Sequence, residues 1–264
     1  MGGRGSKFKI TSGKSNINFY GIDYQNETYT NKPTKDTDYL KDNKKTWTMS
    51  TTDFIKRDLM NSQTEFLKKI TNKYPGTSSL LTQNNNLRIR AVDFKNKHTL
   101  AAFVSPGNGS YEKLQICYNS SAMKKSINQI KEEESKNQNN GYFSPSDDDM
   151  LINKTLAHEY GHFIEKTLVE KEIQNNLELK NSIKNFFDYD RCYYNLSKKF
   201  SKEILKIKKD KFNDNGFERI SKYAQDSYPE NFAEIFCNLV TQKNPTNWAK
   251  AMKIFLKEKG ICVK

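Results

Sequence analysis

This sequence predicts an α+β fold, and three observations carry that expectation. One amphipathic helical segment opens the folded part, a block of short strand-like runs follows it, and beyond Met150 the apolar spacing is largely helical. Strands gathered in one block, rather than alternating with helices, argue against a doubly wound α/β layout. A chain of 264 residues can bury a substantial core, as one domain or one domain with appendages. Only 35% of it is apolar, so long solvated stretches are expected alongside that core.

Taken in order, residues 1 to 48 are rich in Gly, Asn, Thr, Lys and Tyr without apolar periodicity. They read as an extended or poorly ordered arm, and residues 49 to 264 as the folded domain. The start MGGRGS matches the N-myristoylation pattern through Gly2 and Ser6, and equally suits a plain flexible start. From Ser50 to Lys73 the residues Phe54, Ile55, Leu59, Phe66, Leu67 and Ile70 recur near helical spacing after a Ser-Thr-Thr-Asp cluster, and Pro75-Gly76 ends the segment. LRIRAVDF (87 to 94), TLAAFVS (99 to 105) and KLQICYN (113 to 119) read as strands. The turn residues between them make an antiparallel meander the economical arrangement. Residues 124 to 149 are polar and read as a loop. Helical patterns follow over MLINKTLAHEYGHFIEKTLVEKEI, around 178 to 212, over ISKYAQDSYPENFAEIFCNLV, and near 246 to 258.

The net charge of +13 would suit a polyanion such as nucleic acid or an acidic membrane surface. The lysines are spread over the whole chain, however, which favours a merely solvated surface. Even the densest run, KKFSKEILKIKKDK (198 to 211), carries Phe200, Ile204, Leu205 and Ile207, enough to dock as an ordinary helix face. No apolar run reaches the roughly 20 residues of a membrane span, and the amino terminus lacks an apolar leader. Cys117, Cys192, Cys237 and Cys262 form no CxxC pair. Reduced thiols in a cytoplasmic protein are the simplest reading, with delivery or release without a classical signal peptide as the alternative.

Chemistry concentrates in TLAHEYGHFIE, residues 155 to 165. Residues four apart share a helix face, so His158 and His162 can present two imidazoles to one point. Two neutral imidazoles make half of a tetrahedral zinc site, and Glu159 beside them can serve as general base toward a water. Gly161 costs about 1 kcal/mol relative to Ala inside a helix, a choice that makes sense where another backbone or a ligand passes close. A third ligand must come from elsewhere. No histidine follows His162, and His98 sits in an expected turn. A carboxylate is therefore required, and ENFAE places Glu230 and Glu234 one helical turn apart within an apolar run. One could bind metal while the other accepts a hydrogen bond from a ligand imidazole.

HEYGH followed by Tyr223, Glu230 and Glu234 in a Y-x6-E-x3-E pattern resembles the glutamate-zincin peptidases. These include the catalytic domain of anthrax lethal factor, and related HExxH proteins occur in phages and mobile elements. The resemblance covers about residues 151 to 165 and 219 to 240. It implies a zincin-like fold in which a small antiparallel sheet packs on the HExxH helix. It also implies Zn2+ held by His158, His162 and Glu230, with Glu159 as catalytic base. Tyr223 would supply a hydroxyl to the oxyanion or leaving group, with Tyr228 its nearby competitor, and Glu234 would sit behind a ligand imidazole. The activity implied is that of a zinc metalloendopeptidase acting on a protein or peptide substrate, with TLAAFVS or KLQICYN as the edge strand that pairs with it. Two other classes compete: a catalytically silent, zinc-stabilised structural or interaction protein of a phage or mobile element, and a basic nucleic-acid-binding protein. Zinc bound without turnover would mark the former, and salt-dependent DNA binding the latter.

Overall fold

Alternating apolar positions build the middle of the sheet: Leu87, Ile89 and Ala91 are buried while Arg88 faces solvent. The computed structural model describes residues 39–41, 47–50, 57–80, 87–92, 100–104, 114–216 and 218–262. Strands β1 (Tyr39–Lys41), β2 (Trp47–Ser50), β3 (Leu87–Val92), β4 (Ala101–Val104) and β5 (Gln115–Asn119) form one five-stranded sheet in the order β1-β2-β3-β5-β4. β2 with β3 and β3 with β5 run parallel, while β1 with β2 and β4 with β5 run antiparallel. The mixed α+β class is thus as expected, but the antiparallel meander is not. β5 inserts between β3 and β4. Every residue of β5 is buried, as befits a central strand covered on both faces. The connections on either side of β4 exceed the roughly 2–5 residues of a tight hairpin, so neighbours in sequence need not pair. β4 is left as an edge.

Strand pairing runs across position 48. Trp47 pairs with Leu87 and Met49 with Ile89, and β1 adds to that strand from the far side. Backbone hydrogen bonding, of β2 to β3 and of β1 to β2, makes these strands and leaves no apolar period to read. Residues 1–38 and 42–46 lie outside the described residues, and so do Gly2, Phe54, Ile55 and His98.

The helices are α1 (Arg57–Lys73), α2 (Ser120–Met123), α3 (Ile127–Asn139), α4 (Lys154–Asn175), α5 (Leu177–Ser182), α6 (Phe186–Phe212), α7 (Tyr228–Thr241) and α8 (Asn247–Glu258). α1 buries Leu59, Gln63, Phe66, Leu67 and Ile70, an i, i+4, i+7, i+8, i+11 stripe. α3 replaces the expected loop. Ser126 and Gln129 close a reciprocal capping box at its start, and Glu134 is its one buried residue, so no apolar stripe announced it. The helical pattern around 178 to 212 divides into α5 and α6, with Asn185 capping the second through a bond from Asp188 N–H.

α4 is the centre of the molecule. From Leu156 to Glu170 every residue is buried, so its polar side chains need partners within the protein. α6 supplies several. Tyr193 donates to Glu165 at 3.0 Å, and Lys166 donates to Glu170 at 2.6 Å and to the Tyr189 hydroxyl. On another side α7 crosses very close. A Cβ added at Gly161 would stand 2.8 Å from Ala233 Cα and 3.2 Å from Ala233 O, which meets the expectation that a backbone passes this glycine. Phe103 on β4 meets Phe163 with ring centroids 6.1 Å apart, placing α4 under the sheet edge. Among the described residues, no helix is long and apolar enough to cross a membrane, and all four cysteines are free thiols.

The close crossing yields a stability prediction. Gly161→Ala should gain roughly 1 kcal/mol of helix propensity yet lose more, roughly 1–3 kcal/mol, to overpacking against a backbone that cannot swing away. Urea denaturation of the two proteins should show a net loss of stability. A stabilised variant would mean that the helices separate freely.

Candidate metal centre

The local sequence of α7 explains how carboxylates reach the two histidines. Ser227 caps the helix, accepting from Glu230 N–H at 3.2 Å, and Pro229 occupies its first turn. Ser227 and Glu230 have capping-box spacing, yet the Glu230 carboxylate turns toward α4 instead of back to its own cap. Its position in the first turn of α7 favours the ionised form.

Three ligand atoms converge. His162 Nε2 lies 3.1 Å from His158 Nε2, and Glu230 Oε2 lies 3.0 Å from the first and 3.4 Å from the second when taken as His158 and His162 in that order. Atoms about 2.0–2.1 Å from one tetrahedral zinc stand about 3.3 Å apart, so the observed triangle fits a single ion. Proton counting points the same way. His158 Nδ1 lies 2.8 Å from Glu234 Oε1, and a carboxylate only accepts, so Nδ1 carries the proton. In a neutral ring Nε2 then presents a lone pair to the Glu230 carboxylate at 3.0 Å. Lone pairs at such distances need a shared positive centre, either an added proton or a metal cation. Without a metal, burial pushes the His158 imidazolium down, but bonds to Glu230 and Glu234 outweigh it and hold its pKa well above the ordinary value. Burial pushes Glu230 up, and the two imidazoles overcome this, holding its carboxyl far below the usual range. His158, His162 and Glu230 could hold a divalent metal such as zinc.

Glu159 faces the sheet edge. Phe103 N–H donates to its Oε2 at 2.6 Å. Burial raises its carboxyl above the ordinary value, with His158, His162 and the Phe103 N–H pulling back. Glu234 is 1% exposed and ties four segments together. One oxygen holds His158, and the other accepts from Ser144 N–H at 2.5 Å and Ser221 Oγ at 2.9 Å. Ser221 Oγ in turn accepts from Ala224 N–H, shaping the short 3-10 turn Tyr223–Gln225. Tyr223 N–H donates to Tyr142 O at 2.9 Å, and its ring lies 5.5 Å from those of Tyr142, Phe143 and His158. Burial, then the charges of Glu230 and Glu159, push its phenol pKa up, so it keeps its proton. Tyr228 packs instead on Tyr194, with the Arg219 guanidinium over its ring.

All six residues singled out from the motifs therefore gather in one place. Phe103, Ser144 and Ser221 were not foreseen, because two of them act through backbone N–H groups that carry no residue-type signal. Ser227 was legible as an S-x-x-E cap. The lysines Lys198, Lys199, Lys202 and Lys206 lie on α6, where Lys199 pairs with Glu172 at 3.3 Å. No protein-family model, curated protein or solved structure matches this chain.

Two outcomes follow from this geometry. Zinc titration should give about one ion per chain. His158→Ala or His162→Ala should remove most of it, and Glu234→Gln should weaken affinity about 10- to 100-fold without changing stoichiometry. Unchanged zinc affinity in all three variants would refute the site. The second outcome concerns Glu165, whose carboxyl burial lifts from 4.5 to about 7, with His162, Ser197 and Tyr193 opposing. A raised folded-state value means that the stability it contributes is full below the unfolded value and fades as pH rises through about 7. In metal-free protein, Glu165→Gln should flatten the fall in urea midpoint between acidic and mildly alkaline pH.

Proposed function

We propose that this chain is a zinc metalloendopeptidase of the glutamate-zincin type, hydrolysing peptide bonds in a protein or peptide substrate. One observation carries the reading: His158 Nε2, His162 Nε2 and Glu230 Oε2 converge while Glu159, on the same helix, is hydrogen-bonded to an edge strand. An HExxH helix lying beneath the antiparallel edge of a mixed sheet supports the zincin-like fold, with the sheet order corrected as above.

Zn2+ bound by these three residues would polarise a substrate carbonyl and make a water more acidic. The chain's own groups do the rest. Glu159 accepts the proton of the attacking water and returns it to the leaving amine, its basicity raised by burial. Tyr223, protonated and with its ring 5.5 Å from that of His158, donates a hydrogen bond as charge develops on the carbonyl oxygen. Glu234 orients His158 by holding its Nδ1–H. β4 holds the substrate. Asn119 N–H donates to Leu100 O, and the alternation of an antiparallel ladder then turns the backbone groups of Ala101 and the Phe103 carbonyl away from β5, while the Phe103 N–H stays on Glu159. An extended peptide can pair with that edge.

Glu159→Gln should abolish peptide hydrolysis while zinc content and stability stay near those of the unmodified chain. Tyr223→Phe should lower kcat roughly 100- to 1000-fold, again with zinc retained. Glu230→Ala should lower zinc affinity and activity together. These three signatures differ, and a Glu159→Gln variant that still cleaves peptide would sink the mechanism. Zinc bound without turnover by the unmodified chain would favour the structural-module reading.

A further inference from the structure

The hydrolytic mechanism leaves one face of α6 unused. A helical turn takes 3.6 residues, so Phe187, Arg191, Tyr194, Lys198, Lys202 and Lys206 fall within one arc of about 120°. All six are exposed, and from first to last they span about 28 Å of helix. Elsewhere on α6 the lysines are given acids. Lys199 meets Glu172 at 3.3 Å and Glu203 at 4.0 Å, and Lys208 meets Asp214 at 2.7 Å. On the arc the chain does otherwise. Among the described residues, no carboxylate pairs with Lys198, Lys202 or Lys206, although they stand four apart, where like charges repel. The three line a shallow recess with Asn195 and Lys199. Glu203, the one acid in that recess, turns to Lys259 at 3.0 Å.

Charge is half of this surface. Among the described residues, the exposed large hydrophobic side chains are Leu177, Phe187 and Tyr194, and both aromatic ones stand on the arc, 54% and 48% exposed. Tyr194 is also held in place. Its ring meets that of Tyr228 edge-on at 5.4 Å, while Lys198 Nζ and Arg219 Cζ stand 6.0 and 5.2 Å from the centre of the Tyr228 ring. Oriented aromatic faces beside a row of cations without acid partners match a strand that carries a phosphate and an unstacked base at every step. The bases of a duplex are stacked on one another and leave these rings uncovered. An acidic peptide answers the charges alone. A membrane fits worse, because an interfacial helix sets its cations apart from its apolar face, and here Arg191 and Lys198 take the middle of the arc.

We propose that this face of α6 binds single-stranded nucleic acid, its lysines on phosphates and Tyr194 and Phe187 stacked on bases. The surface stands whether or not the metal centre cleaves peptides. The test is fluorescence anisotropy of a labelled oligothymidylate, about 15 nucleotides long, titrated with the full chain at several salt concentrations. Saturable binding that weakens as salt rises is expected. Lys198→Gln, Lys202→Gln and Lys206→Gln combined should flatten the log–log salt slope by roughly 2, since each phosphate contact on a single strand contributes about 0.7. Tyr194→Ala should weaken binding roughly 5- to 150-fold and leave that slope unchanged, a split that lost charge does not produce. Neutralising Lys250, Lys253 and Lys257 on α8 removes the same charge elsewhere and should change neither quantity. All these positions are exposed, and circular dichroism checks that each variant keeps the fold. No saturable binding, or equal losses from the α6 and α8 sets, would mean a general basic surface and overturn the proposal. So would a Tyr194→Ala variant that binds as tightly as the unmodified chain. Stronger competition by a duplex, by polyglutamate or by phosphatidylserine vesicles than by unlabelled oligothymidylate would assign the face to that partner instead.

Discussion

The close passage of α7 over Gly161 is the constraint on which the centre depends. With a Cβ at that point the backbones could not approach as they do, since the atom would stand 2.8 Å from Ala233 Cα. Only at that approach do carboxylates on α7 reach imidazoles on α4 directly, one turn of α7 placing Glu230 at both Nε2 atoms and Glu234 at His158 Nδ1. The cost of glycine in mid-helix, about 1 kcal/mol, is set against aromatic packing along the same seam. Tyr160 stacks on Phe236 and meets Phe163 edge-on.

Burying α4 on all sides turns every polar group on it into a matter of pairing. Away from His158, His162 and Glu230 the pairing is met by the chain itself, as Lys166, Glu170 and Tyr189 show. At the centre it is met only in part, because Glu234 commits His158 Nδ1 as a donor and leaves Nε2 facing a second carboxylate, that of Glu230. A site so arranged favours a cation. Glu234 also couples that demand to the 3-10 turn bearing Tyr223, through Ser221 and Ala224 N–H. His158 and the turn that carries Tyr223 are thus held by one carboxylate.

Elements with a clear apolar stripe were the legible ones. α1 and α8 stand close to where spacing put them, the latter at Asn247–Glu258. α3 has a single buried residue, and its evidence lay in a cap, Ser126 with Gln129, that a reading by hydrophobic period passes over. β1 and β2 join the sheet through main-chain bonds in a segment without pattern. Strand order was beyond reach for another reason. Alternation in KLQICYN describes a strand with one wet face, whereas all five residues of β5 are buried between two neighbours and under the helices.

Helical periodicity alone determined that His158 shares a face with His162 and Glu230 with Glu234, because a spacing of four is a local property of the chain. The helix cost of a glycine between the histidines added that another backbone or a ligand passes close there. Only the tertiary structure decided which backbone that is, which glutamate oxygen faces which ring nitrogen, and that Phe103 N–H rests on Glu159. Those relations run between elements far apart in sequence, and they are set by how closely helices and sheet edge can pack, which no local period encodes.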